Sequence, residues 1–290
     1  MKSTYYAFIT DSNNVSVPNS DGCTNLTCMD IVGNNLYCIK VNTDKTKACL
    51  YQYSGSGTTW TSKSVKSLTA PVLGATGMSY YEAATSSGSL DKALFVACNN
   101  SAADGVKFVK MKLDGILVRV FKTVTGTDYA GRFGAITKYK GKEFIVLANG
   151  LSTADKLCLM RGQFNKETES FDTKETFYVK NRGYQSTQDI YYNENFGLFI
   201  LSCEKDDSMC KNLILQVDYD GLFQDKSGDG GIYEPIDRIG VLKNRTSYNK
   251  YMVSSMSIDS AQNIVTVGNI EKTSGTTADA IQCFVNMKLQ

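Results

Sequence analysis

Histidine is absent from all 290 residues, so acid–base or nucleophilic chemistry here must run on carboxylates, tyrosines, lysines or cysteines. That excludes Ser-His-Asp triads, Cys-His dyads, HExxH zinc sites and a histidine switch near neutral pH. Asp30 and Asp189 are the first acid–base candidates. Each precedes an isoleucine in comparable short runs, Met29-Asp-Ile-Val and Gln188-Asp-Ile-Tyr, while Glu82 and Asp259 lie further along equivalent runs at Met78-Ser-Tyr-Tyr and Met256-Ser-Ile. Carboxylates aimed from separate segments into one space can divide into an acid and a base when their surroundings differ. The same residue type also caps turns and pairs with arginine.

A second pattern brings arginine and tyrosine together. Asp128-Tyr129-Ala-Gly-Arg132-Phe133, Lys180-Asn181-Arg182-Gly-Tyr184 and Lys243-Asn244-Arg245-Thr-Ser-Tyr248 are three successive polar connections that carry both residues. Arginine offers a planar fork of donors for carboxylate, phosphate or sulfate, and tyrosine a flat face and a hydroxyl for sugars or peptides. Tyr129, Arg132, Arg182, Tyr184, Arg245 and Tyr248 are therefore the candidate ligand-binding residues, although Lys-Asn-Arg is also ordinary solvated loop chemistry.

Metal and cofactor signals are sparse. Asp225-Lys-Ser-Gly-Asp229-Gly230 matches the first half of a calcium loop, but position twelve is Ile236 where a glutamate is required, which makes a solvated turn the simpler reading of Asp225 and Asp229. No metal and no cofactor is expected, and neither GxSxG, GxxxxGK[ST] nor a strand-linked GxGxxG occurs. The nine cysteines sit mostly in apolar runs, as buried thiols do. Two pairs, Cys38 with Cys49 and Cys203 with Cys210, flank expected hairpin turns and would face each other if the chain is exported. Four Asn-x-Ser/Thr sequons begin at Asn14, Asn25, Asn99 and Asn244 in a chain rich in those residues.

The elements that must position these groups repeat. An apolar strand, a polar turn and a second apolar strand recur with first strands beginning near residues 36, 93, 143, 198 and 263. The strands are rich in β-branched and aromatic residues, with almost no long amphipathic helix, which means radial β repetition. Turns such as Asp114-Gly115 and Asp220-Gly221 extend each unit outwards, and the Asp- or Ser-bearing runs above supply an innermost strand, giving four strands per unit. The last unit stops after three strands, while Thr4 to Thr10 is an orphan strand at the other end of the chain. Placing residues 4–10 as its missing outer strand closes the ring.

With that spacing and closure, the chain resembles a five-bladed β-propeller over almost its whole length. The expected fold is all-β, a single domain over 1–290, with four antiparallel strands per blade and blades of about 24–70, 71–125, 126–180, 181–243 and 244–290 plus 4–10. Ser54-Gly-Ser-Gly57-Thr-Thr-Trp60 ends like the Asp-box turn of sialidase-like propellers, yet Tyr53 and Gly55 stand where that motif has Ser and Asp. The carboxylates of the inner strands resemble the arrangement of five-bladed glycosidases, which project such groups into the channel.

The net charge of +2 supplies no field for nucleic acid, and no apolar stretch approaches the 18 residues of a membrane span. The expected function is a non-catalytic module that binds a glycan, peptide or partner protein on the loop face. The alternative is a glycosidase-like enzyme using Asp30, Asp189 and Glu82. A cell-surface or extracellular location is expected if a leader has been removed, and a cytoplasmic one otherwise.

Overall fold

The apolar runs become strands because both of their faces are covered. In the computed structural model, residues 3–8, 14–84, 87–98, 107–124, 133–140, 142–148, 156–165, 170–180, 186–203, 212–220, 232–233, 237–242, 248–272 and 274–284 are described. Strands β1 (Ser3–Phe8) and β2 (Asn14–Ser16) precede blade I, which is built from β3 (Asn25–Val32), β4 (Asn35–Val41), β5 (Ala48–Ser56) and β6 (Thr59–Leu68). Blade II holds β7 (Ala75–Ala84), β8 (Leu90–Cys98), β9 (Lys107–Lys112) and β10 (Leu117–Val124). Blade III holds β11 (Phe133–Tyr139), β12 (Lys142–Ala148), β13 (Lys156–Asn165) and β14 (Ser170–Lys180). Blade IV holds β15 (Ser186–Asn193), β16 (Gly197–Cys203), β17 (Asn212–Val217) and, after the short β18 (Ile232–Tyr233), β19 (Asp237–Leu242). Blade V holds β20 (Tyr248–Ile258), β21 (Ile264–Lys272) and β22 (Thr277–Phe284), with β2 as its fourth strand.

The chain is thus a five-bladed propeller of four-stranded antiparallel blades. Its first strands neighbour one another in a closed circle, β3 beside β7, β7 beside β11, β11 beside β15, β15 beside β20 and β20 beside β3. Five apolar layers fill the five gaps between blades. Alternate residues of one strand enter opposite layers: Leu36 and Cys38 face blade V with Val265 and Ile281, while Tyr37 and Ile39 face blade II with Leu94 and Val109. Such double burial is what turns a half-polar alternation into a continuous apolar run.

The N-terminal chain closes the ring, but with a different segment from the one expected. Asn14–Ser16 pairs antiparallel with β22 in the register Asn14↔Gln282, Val15↔Ile281 and Ser16↔Ala280. Residues 3–8 instead run parallel to β19 on the outer edge of blade IV, Ser3 opposite Asp237 and Phe8 opposite Leu242. Reach accounts for the difference. Blade V's outer position must connect directly to Asn25, the start of β3, and the short stretch from Val17, whose N–H donates to Asp279 O at 2.8 Å, makes that connection. β1 covers the otherwise open edge of blade IV. Blade IV also departs from the expected outer hairpin, because its fourth strand begins at Asp237 rather than directly after Asp220-Gly221.

Cys38 and Cys49, which the sequence offered as a pair only for an exported chain, are both buried free thiols. Cys38 lies opposite Tyr51 and Cys49 opposite Lys40, so the two are diagonal neighbours, farther apart than a disulfide spans. Cys210 lies outside the described residues.

Candidate functional site

Hydrogen bonds between inner strands decide what the channel carboxylates do. Asp30, on β3, accepts from its own neighbour Ile31 N–H at Oδ1 (2.7 Å), from Ser257 Oγ at Oδ1 (2.7 Å) and from Tyr80 N–H at Oδ2 (2.6 Å). It therefore ties blade I to blade V on one side and to blade II on the other. Asp189, on β15, accepts from Ile190 N–H at Oδ1 (2.9 Å) and, at Oδ2, from Ser255 Oγ (2.5 Å) and Met256 N–H (3.2 Å) of blade V. The two serines pass the connection on. Met29 N–H donates to Ser255 Oγ at 3.0 Å and Ile31 N–H to Ser257 Oγ at 3.2 Å, closing the seam between blades V and I. Ser79 does the same between blades II and III, accepting from Ile136 N–H at 3.2 Å.

Both aspartates are covered, Asp30 at 5% and Asp189 at 2% exposure, and all four carboxylate oxygens have donors. Burial dominates their ionisation. It pushes Asp30 up to about 6 against the opposing pull of Tyr80, Ser257 and Ile31, and Asp189 up to about 8, where the nearby charge of Asp30 adds to burial. Near neutral pH one of the pair is ionised and the other protonated.

The turns that end the inner strands carry a second polar group. At the end of β7, Glu82 accepts from the Tyr80 hydroxyl and has Lys92 Nζ at 3.7 Å. Lys138, at the end of β11, donates to the Glu82 backbone carbonyl at 3.5 Å and pairs with Glu194 of blade IV at 3.2 Å. The Tyr192 hydroxyl donates in turn to Lys138 O at 2.9 Å. Of Asp30, Asp189, Asp259 and Glu82, only Glu82 is partly exposed. Asp259 caps its own turn through Ala261 N–H and Asn263 N–H, and its Oδ2 also accepts from Gly57 N–H of blade I at 3.0 Å. The Gly-rich turn after β5 is held on its other side by the Trp60 indole N–H, which donates to Gly57 O at 3.0 Å.

Asp30 and Asp189 are thus linked through Ser257 and Ser255, two residues apart on β20, while Glu82 lies near the end of β7 with Tyr80 and Lys92. Tyr129, Arg132, Arg182, Tyr184 and Arg245 lie outside the described residues, as do Asp225 and Asp229; Tyr248 is the first residue of β20. Among the described residues no group of three or more His, Cys, Asp or Glu is placed to hold a metal ion, and no helix is long and apolar enough to cross a membrane.

Two features escaped the sequence. One is the serine relay, whose signal was the alternate placement of Ser255 and Ser257 around Met256, between the apolar Val253 and Ile258. The other is a buried ion pair, Lys40 with Asp279 at 2.6 Å, in which Lys40 Nζ also donates to Val17 O (3.0 Å) and Asn19 Oδ1 (2.6 Å). It fastens the closing segment between blades V and I.

No family model and no curated protein matches the chain. Solved structures do. An endo-arabinase from Bacteroides thetaiotaomicron superposes with a TM-score of 0.50 at 13% identity, covering 93% of this chain and 96% of that one. A bifunctional GH43-CE protein from Bacteroides eggerthii gives a TM-score of 0.52 at 7% identity over 97% of this chain, which spans 36% of that protein's length. An exo-beta-1,3-galactanase from Phanerochaete chrysosporium gives 0.48 at 10% identity, with 93% of this chain matching 64% of that one. At these identities the likeness to the first two shows the five-bladed propeller fold alone.

Proposed function

We propose that the protein is carbohydrate-active, a glycosidase-like propeller that accepts a polysaccharide chain at a mouth of its channel. One observation carries this reading: two carboxylates from different blades, bonded to serines two residues apart on β20, have pKa values pushed to about 6 and about 8. Hydrolysis of a glycosidic bond needs that division into an ionised and a protonated carboxyl. The fold it shares with an endo-arabinase supports the substrate class. The glycan contacts are assigned to Tyr129, Arg132, Arg182, Tyr184, Arg245 and Tyr248.

A separate observation favours a second reading, in which the glycan is held and not cut. Asp30 and Asp189 are covered and fully hydrogen-bonded to neighbouring blades, as befits latches. One experiment separates the two. The purified protein is incubated with arabinan, xylan and galactan, and both the release of reducing ends and retardation in polysaccharide-containing gels are measured. Release that disappears in Asp30→Asn or Asp189→Asn protein still folded by circular dichroism supports hydrolysis. Retardation without release, lost in the triple Arg132/Arg182/Arg245→Ala variant, supports recognition, and neither signal on any glycan rejects a carbohydrate role.

A further inference from the structure

The closing segment carries a second piece of chemistry. Between β2 and β3 the chain turns tightly at Ser20–Cys23, with Cys23 N–H donating to Ser20 O at 2.8 Å. The Cys49 thiol, from the third strand of blade I, donates to that same carbonyl oxygen at 3.6 Å. Two cysteines from separate segments therefore converge on one atom, and both belong to the apolar layer between blades V and I. Above them lies the exposed Asp21–Lys47 ion pair at 2.8 Å, with Ser67 Oγ donating to Asp21 at 3.4 Å. The thiols are thus one layer below solvent, under a surface contact of the kind that contributes little to stability.

We infer that Cys23 and Cys49 form a disulfide that clamps the ring-closing segment onto blade I when the protein meets a disulfide oxidant. The oxidant is a low-molecular-weight or protein disulfide, RSSR. One cysteine thiolate attacks RSSR, forming a mixed disulfide and releasing one RSH. The second thiolate then attacks the protein sulfur of that mixed disulfide and releases the second RSH. Two protein thiols are oxidised, one external disulfide is reduced to two thiols, and both protons leave on the products.

The ionisation of Cys23 fits this order of events. Burial, and then the adjoining Cys49 thiol, push Cys23 up to about 12, so in the closed turn it is a slow nucleophile. Exchange proceeds while the Ser20–Cys23 turn is lifted or while the chain is folding, and the bond once made is covered by the same turn. In the layer between blades I and II, Cys28 and Cys98 bond to different partners and not to one shared acceptor. Cys28 accepts from the Thr27 hydroxyl at 3.8 Å, and the Cys98 thiol donates to Val96 O at 3.6 Å.

The test uses the full-length protein. Reduced, urea-unfolded chain is refolded at pH 8 in a mixture of reduced and oxidised glutathione, quenched with acid, and mapped by mass spectrometry without reduction. Fragmentation within the joined peptides distinguishes Cys23 from its neighbour Cys28. The expected result is Cys23–Cys49 as the dominant crosslink, with a melting temperature roughly 5–10 °C above that of the dithiothreitol-treated protein. Cys49→Ser protein should show no difference between the two treatments. A map in which these cysteines remain alkylatable, a dominant crosslink at another pair, or a melting temperature unmoved by the bond overturns the inference, and the map needs no variant.

Discussion

Lys40 is the residue on which ring closure turns most directly. Its side chain is fully buried, its ammonium meets Asp279 at 2.6 Å, and its remaining protons reach Val17 O and Asn19 Oδ1. Removing one member of such a pair leaves the other charge in a place where water cannot reach it, which is more damaging than removing both. Lys40→Met should therefore cost about 3–5 kcal/mol in urea unfolding. Replacing both, Lys40→Met with Asp279→Leu, should recover most of the loss, since two apolar side chains suit the surrounding layer. A double variant as unstable as the single one would mean that the acceptors Val17 O and Asn19, rather than the stranded carboxylate, set the cost. No reading of the sequence singles out Lys40, because Leu-Tyr-Cys-Ile-Lys-Val looks like a strand whose lysine emerges at the surface. Its partner is supplied by blade V, from the opposite end of the chain. Asp30 and Asp189 stood out in the sequence for the opposite reason: they interrupt apolar strands at matching points. Their hydrogen-bonding role was not legible, since it depends on Ser255 and Ser257, the latter 227 positions from Asp30.

At the scale of elements, double-sided burial made the blades readable and the closure hard to read. Runs such as Leu198-Phe-Ile-Leu enter the layers on both sides of blade IV and announce themselves. Asn14–Ser16 has three residues and no apolar run, whereas residues 3–8 look like a far better strand yet pair with β19. That division makes a truncation experiment informative. Deleting residues 1–8 removes a parallel edge strand and should leave a single cooperative melt with a modestly lower midpoint. Deleting residues 1–24 also removes β2, Val17 and Cys23 from the layer between blades V and I, together with three acceptors of Lys40, and should abolish the cooperative melt. If the shorter deletion is as damaging as the longer one, β1 rather than β2 is what holds the ring shut. The Gly-rich turn of blade I gives a sharper element-level expectation. Gly55 has φ +151, and a Cβ there would meet the Thr59 carbonyl oxygen at 1.9 Å. Gly55→Ala should cost on the order of 3 kcal/mol or more, read as a shift in urea midpoint, because backbone and not a flexible side chain must move. A midpoint unchanged within error would show that the β5–β6 turn relaxes freely.

For the whole molecule, the channel couples ring stability to pH with a definite sign. Asp30 and Asp189 have folded pKa values of about 6 and 8, above the ordinary 3.8, so the folded ring holds their protons more tightly than the unfolded chain does. Their contribution is complete below about pH 4 and is lost as pH rises, through about 6 for Asp30 and about 8 for Asp189. Each group can remove up to about 1.4 kcal/mol per pH unit inside its window. Urea midpoints should therefore fall from pH 5 to pH 8.5, more steeply below pH 6, where both folded carboxyls still hold protons that the unfolded chain has released, than above it, where only Asp189 does. Asp189→Asn should flatten the limb between pH 6 and 8 and about halve the slope of the lower limb, whereas Asp30→Asn should halve the lower limb and leave the upper one. Parallel curves for wild type and Asp189→Asn would remove these carboxyls from the account. The same two values separate latch from catalyst. If the pair cuts glycans, the rate should be bell-shaped with limbs near 6 and 8, in a pH range where circular dichroism shows the ring still folded. If the pair only laces blades together, any glycan binding should stay constant until the ring itself begins to unfold, because no carboxylate oxygen is left to touch the sugar.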